Sequence, residues 1–297
     1  MVFLVLDIGG TKIKAASLDK KLNFIYVSEI KTHPEKGKKY FLDSVLKIIE
    51  EVITSTKKST KRSFDLLGIS MPGIISDGKI LFPGQNLPFL KNFRIKDFLE
   101  KKVGLKTRII NDADAFTIAE SYLGNGQDYN KILGIVIGSG LGSSIVLKTK
   151  FGKDILIKGS ELGQIKIFDE EEKKTLSLEA LVGGRFLEKT YFKKTGKKKT
   201  LKEIFYSNDL IAKQLVKKMI KYSAKGISYA INLYGPEIVV LGGGISNLPF
   251  LKILKNEISK LVINTYSKTP LRRFSISDDE GLLGIAILLL NDTISME

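Results

Sequence analysis

Cysteine is absent, histidine occurs once, arginine six times, and no apolar run approaches the ~18 residues a bilayer span requires. Each shortage removes a class of function. Without cysteine there are no disulfides and no thiolate metal sites, so a cytoplasmic location is the default expectation. The longest apolar stretch, Leu282 to Leu290, is too short to cross a membrane. The first apolar run meets Asp7 too early for a signal peptide, and no small-residue cleavage site follows. A net charge of +16 raises nucleic acid as a partner, but nearly all of that charge is lysine. Arginine is the usual base-reading residue, and no helix-turn-helix segment precedes the first strand. No nucleic-acid partner is expected; the positive field suits anionic nucleotides instead.

What remains is a chain of 297 residues, 43% apolar and 27% charged, the composition of a soluble globular protein at the length where one core commonly divides into two. Residues 2–30 read as three short strands, and Lys38–Lys57 has helical spacing at Phe41, Val45, Ile48, Ile49 and Val52. "LLGISMPGII" is a buried strand entering a Pro-Gly turn. Lys96–Val103 is a short helix ending at Gly104, and "TRIIND" is a strand that hands over to a helix. A second cycle opens at "KILGIVIGSGLGSSIVL", again strand, glycine turn, strand. "DEEEKK" reads as an exposed loop, and a helix opens near Ser177. The longest helix covers Asp209–Leu233, with Leu210, Leu215, Met219 and Ile220 on its apolar face. "PEIVVLGGGIS" is a buried strand, and a strongly apolar helix closes the chain. Alternating strands and helices predict an α/β fold.

Three glycine turns follow apolar strands: "DIGGTK" at Asp7–Lys12, "GSGLGSS" at Gly138–Ser144 and "LGGGIS" at Leu241–Ser246. Any one of them could be an ordinary tight turn. As a set they suit phosphate, because glycine lets backbone N–H groups approach an anion, Thr11 adds a donor, and Asp7 can orient a magnesium ion or its water. Between the first two lies "NDAD" at a strand end. A carboxylate projected there, Asp112, is placed to act as a general base.

This arrangement resembles the group of nucleotide-binding folds that includes sugar kinases, heat-shock-70 proteins and actin. Within it the sequence resembles the ROK family (repressors, open reading frames and kinases) over essentially its whole length. The likeness is carried by "DIGGTK", Pro72–Gly73, "NLP" at Asn86–Pro88, "NDADA" from Asn111, "GSGLGSS", "ELGQ" from Glu161, "LEA" from Leu178 and "LGGGIS". It implies a two-domain α/β architecture of the actin-like ATPase, or ribonuclease H-like, type. The first domain would span about 1–115 and take back a C-terminal helix at 281–297; the second would span 116–280. Sugar would bind in the cleft between them and nucleotide mainly on the second, with a homodimer as the family's assembly.

The same resemblance implies ATP and Mg²⁺ as cofactors and phosphorylation of a hexose, glucose at its 6-hydroxyl foremost, with fructose, mannose and N-acetylhexosamines open. Asp112 matches the base. Gly73, Asn86, Asn111, Glu161 and Glu179 match the sugar side; Asp7, Gly9, Gly10, Thr11 and Lys12 match the first phosphate loop. Gly138, Ser139 and Gly140 match the second, and Gly243 and Gly244 the adenosine side. Asp7 would hold magnesium through water. Glu179 also reads as a first-turn helix acid, and Asn86 as a turn former.

One departure stands out. Gln164 occupies the place of the family's histidine, and "IFDEEEKKTLS" replaces its cluster of three zinc-binding cysteines. No zinc is expected. Gln164 should use its neutral amide toward a sugar hydroxyl or its own loop, with Ile165, Ile167, Leu176 and Leu178 packing that loop. His33 reads as a surface residue. Two rival readings are a sugar-sensing regulator, which would need a DNA-binding module, and a catalytically silent binding protein.

Overall fold

The computed structural model describes residues 1–60, 63–148, 155–276 and 279–294. The chain divides into two compact units. One comprises Met1–Tyr122 together with the segment from Ile276 onward; the other comprises Leu123–Lys148 and Leu156–Ser275. The division at Tyr122 keeps the helix that begins at Asp112 nearly whole, where a boundary at residue 115 would cut its first turn.

In the first unit β1 (Val2–Ile8), β2 (Lys12–Asp19) and β3 (Phe24–Lys31) form an antiparallel meander. Every residue of β1 is buried except Asp7, which is partly buried, as suits a central strand covered on both faces. Helix α1 (Gly37–Ser59) buries Phe41, Val45, Ile48, Ile49 and Val52, the five residues its spacing predicts. β4 (Phe64–Met71) runs parallel to β1, and a small hairpin of β5 (Gly73–Ser76) and β6 (Lys79–Pro83) follows. Helix α2 (Ile95–Val103) stops where Gly104 takes a left-handed φ of 76°. β7 (Lys106–Asn111) joins parallel to β4, and α3 (Asp112–Leu123) starts without an intervening loop. The sheet order is β3-β2-β1-β4-β7.

The second unit repeats the plan. β8 (Lys131–Ile137), β9 (Leu141–Lys148) and β10 (Ile155–Ser160) form the meander, and a hairpin of β11 (Lys166–Asp169) and β12 (Lys174–Ser177) follows. Helices α4 (Leu178–Val182), α5 (Gly184–Thr195), α6 (Leu201–Phe205) and α7 (Leu210–Tyr234) come next. β13 (Ile238–Gly242), α8 (Leu251–Ser259) and β14 (Leu271–Arg273) complete it. β13 lies parallel to both β8 and β14, and the sheet order, β10-β9-β8-β13-β14, is that of the first unit. Two such sheets in one chain make the actin-like ATPase fold.

Two expectations need correction here. Leu210 is not on the buried face of α7 but 76% exposed, because it is the first residue of the helix, beyond the last layer of core. "DEEEKK" is a tight β11–β12 hairpin turn rather than a wholly exposed loop, and its first acid, Asp169, is fully buried. The last element, α9 (Glu280–Ile294), returns to the first unit. Its apolar residues lie against β1 and β4, and a Cβ at Gly68 of β4 would stand 2.6 Å from Ile285. Residues 295–297 of the expected 281–297 helix lie outside the described residues. No described helix is long and apolar enough to cross a membrane.

Candidate active site

The site residues read from the sequence fall into two constellations, one in each unit. In the first unit the parallel register sets them level: Asp7 pairs with Ser70, and Met71 pairs with Asn111. Asp7, the turn at Pro72–Gly73 and the Asn111–Asp112 junction therefore line one edge of the sheet, at the carboxyl ends of β1, β4 and β7. Open α/β sheets bind ligands at that edge. The turn after β1 is held by its own backbone, Gly9 N–H donating to Lys12 O at 2.8 Å. The Thr32 hydroxyl donates to Gly9 O at 2.8 Å. Asn86 lies directly on this turn, since a Cβ at Gly10 would run into its side-chain amide. Thr11 is exposed, and Lys12, already on β2, has its ammonium 3.1 Å from Glu29 Oε2.

Asn111 and Asp112 share the handover from β7 to α3. Asn111 Nδ2 donates to Gly73 O at 2.8 Å and its Oδ1 accepts Ala113 N–H at 2.7 Å, so this amide braces the Pro-Gly turn against the helix start. Gly73 adopts φ 122°, a conformation glycine alone takes readily. Ala113 N–H also reaches Asp112 Oδ1 at 2.9 Å. The Asp112 side chain is open to solvent, yet the protein packed around it desolvates the carboxylate and holds its pKa above the ordinary range, with the Ala113 N–H opposing. Asp7 is pushed up to about 6, chiefly by burial, with the nearby Ser70 hydroxyl opposing and the charge of Asp112 adding. Two desolvated carboxylates, one of them raised by the charge of the other, suit a hard cation, and a Mg²⁺ ion held by one or two carboxylates and substrate phosphates fits Asp7.

In the second unit the turns at Gly138–Gly140 and Gly243–Gly244 close the ends of neighbouring strands, since Gly242 pairs with Val136. Gly138 N–H donates to Gly140 O at 3.1 Å. The start of α5 seats on this turn: Gly184 N–H donates to Gly138 O at 2.8 Å and Arg185 N–H to Ser139 O at 3.1 Å. Gly243, at φ 80°, lies against Ile137 where a Cβ has no room. Glu179 Oε1 accepts the Leu141 N–H at 3.3 Å, and a Cβ at Gly140 would strike this carboxylate. Gln164 Nε2 lies 3.4 Å from Glu179 Oε2, on the first turn of α4. Glu161 is exposed and its carbonyl accepts Gln164 N–H at 2.9 Å. The structure thus gathers Glu161, Gln164, Glu179 and the second glycine turn.

Some contributors escape a sequence reading. Gly183 and Gly184 let α5 approach the 138–140 turn, a Cβ at Gly183 standing 3.0 Å from Ser139 O. Gly281, on α9, has the Asp7 carboxylate packed directly against it. The paired glycines of "LVGGRF" were a usable signal; Gly281 had none. Ile167 and Leu178 are buried, with Ile165 and Leu176 packed on the same cluster, so the loop has the apolar footing expected of it. Among the described residues, no group of three or more His, Asp or Glu is placed to hold a metal. His33 is partly exposed, its Nδ1 3.0 Å from Glu35 Oε1.

The ROK family model matches residues 3–292. The chain is 26% identical to the N-acetyl-D-glucosamine kinase of Mannheimia succiniciproducens, over 96% of this chain and 98% of that protein. It is 26% identical to the glucokinase of Thermotoga maritima, over 95% of each. Among solved structures, the ROK hexokinase from Thermus thermophilus superposes with a TM-score of 0.80 at 27% identity, over 100% of this chain and 99% of that one. With that match running from the first strand to the last helix, the chain belongs to the ROK family.

Proposed function

We propose that the protein is an ATP-dependent hexose kinase in which Asp112 is the general base. The observation that carries this reading is the seat of Asp112, solvent-open yet desolvated at the first position of α3, beside an Asn111 whose amide is already anchored. A base works best with a pKa near the working pH, and the upward displacement moves a carboxylate in that direction. In the ionised form Asp112 accepts the proton of the attacking sugar hydroxyl. A bond forms from that oxygen to the γ-phosphorus, the bond from the γ-phosphorus to the β–γ bridging oxygen breaks, and ADP leaves. In this reading the first unit supplies Gly73, Asn86 and Asn111 to the other sugar hydroxyls, and the second supplies Glu161, Gln164 and Glu179. The Gly9–Lys12 and Gly138–Gly140 turns take the phosphates through N–H groups other than those of Gly9 and Gly138, which bond within the turns, and Gly243–Gly244 takes the adenosine. Mg²⁺ at Asp7, through water, neutralises phosphate charge when bound. Positioning and charge neutralisation supply most of the rate in such transfers.

Glucose at its 6-hydroxyl is the first acceptor proposed. An N-acetylated hexosamine is the second, favoured by the N-acetyl-D-glucosamine kinase among the relatives. Coupled ADP release over glucose, N-acetylglucosamine, N-acetylmannosamine, mannose and fructose tests both. Asp112→Asn should lower turnover by on the order of 10²–10⁴ while circular dichroism stays unchanged. A folded variant with near-normal turnover would rule out Asp112 as the base, and a wild type that phosphorylates no hexose would leave a binding or regulatory protein.

A further inference from the structure

The hairpin β11–β12 is the one segment linking Gln164 to Glu179: its base pairs Lys166 with Ser177, and Leu178 N–H donates to Ile165 O at 2.8 Å. Its far end carries a polar cluster that the catalytic reading does not use. Asp169, at the end of β11, is fully buried. Its Oδ1 accepts the Tyr222 hydroxyl at 3.1 Å and the Glu171 N–H at 3.2 Å, while the Lys218 ammonium contacts its Oδ2. Lys218, only 13% exposed, also lies 3.5 Å from Glu171 Oε2. Tyr222 and Lys218 stand four residues apart on α7, so one face of that helix grips the hairpin tip. Outside the cluster, the ion pairs of the tip among the described residues are solvent-exposed ones such as Lys221–Glu170 at 3.4 Å.

A buried carboxylate is costly unless paired and hydrogen-bonded, and such pairs are better at fixing one arrangement than at adding stability. We propose that Asp169, Lys218 and Tyr222 are positioning residues: a buried polar clamp that fixes the hairpin on α7 and, through it, sets Glu161, Gln164 and Glu179 for the sugar. The kinetic half of this inference rests on the sugar-kinase reading; the mechanical half does not. The leverage is direct. Gln164 and Glu179 flank the hairpin base, and the Glu179 carboxylate also receives Leu141 N–H from the second glycine turn. A tilt of the hairpin therefore moves the sugar ligands, whereas the turn itself is held independently by α5.

The test compares full-length wild type with Lys218→Met, Lys218→Arg and Tyr222→Phe, reading amide exchange over 166–177 and separate KM values for sugar and ATP. Lys218→Met should accelerate exchange in the hairpin and raise the sugar KM by about ten- to a hundredfold, the scale of an ångström of misplacement, with the ATP KM unchanged. Lys218→Arg should restore both. If Lys218→Met does not fold, Tyr222→Phe, which removes one hydroxyl, should show the same pattern more weakly. Unchanged hairpin exchange, or faster exchange across the whole second unit with both KM values rising together, overturns the clamp. Should wild type phosphorylate no hexose, the kinase reading falls, and hairpin-confined exchange alone supports or overturns the clamp.

Discussion

A glycine can be required by the protein around it or by what must approach it, and two glycines here separate the cases. At Gly281 a Cβ would collide with the Asp7 carboxyl, so Gly281→Ala displaces the proposed magnesium ligand from within. Overpacking of this kind costs about 1–3 kcal/mol, read as a lower urea midpoint, and turnover should fall with it. At Gly138 a Cβ meets nothing within 4 Å, and the backbone is not in the left-handed region. Gly138→Ala should leave the urea midpoint where it is and raise the ATP KM, because the methyl group enters space kept for phosphate. An unchanged ATP KM in the folded variant would remove the 138–140 turn from the nucleotide site.

Among the elements, the β11–β12 hairpin carries a pH signature. Burial works to raise the Asp169 carboxyl, but Lys218 and Tyr222 outweigh it and hold it below the usual carboxylate range. The Tyr222 hydroxyl, pushed up to about 12 by burial and by Asp169, stays a donor throughout the acid and neutral range. A carboxylate depressed by folding contributes stability that is complete above its unfolded pKa, near 3.9, and is lost as pH falls through the folded value. The gap in urea midpoint between wild type and Asp169→Asn should therefore be constant from about pH 7 to 5 and shrink below about pH 4. A gap that closes between pH 7 and 5 would show that Asp169 is not ionised against Lys218.

For the molecule as a whole, the chain contains no cysteine and one histidine, and that histidine is partly exposed and paired with Glu35. Structural zinc takes about four ligands, nitrogen or sulfur by preference. The hairpin that stands in place of the family's zinc segment offers carboxylates already matched to lysines, among them Glu172 to Lys174 at 3.2 Å. Activity should require Mg²⁺ and survive a zinc-selective chelator in excess magnesium, and dialysed protein should hold no stoichiometric zinc by elemental analysis. Activity lost to the chelator and restored by zinc would contradict this.

Although the stretch after Ser177 read as one helix and is three, the sequence by itself determined the repeated strand–turn–strand plan, the helices α1, α2, α3, α7 and α9, and the glycine turns. Those follow from local causes: apolar period, capping residues such as Asp209 at the start of α7, and glycine where backbone must bend or be approached. Asp112 was legible for the same reason, since the end of β7 and the start of α3 meet at it. What tertiary structure alone decided lies far apart along the chain. Gly281 meets Asp7 only because α9 returns to the first sheet, and the anchoring of Asn111 depends on a carbonyl in another strand connection. Asp169 read as one more surface acid in a charged run. It is buried because the hairpin folds onto α7 and brings a lysine and a tyrosine to it from about fifty residues away, and no local pattern encodes that pairing.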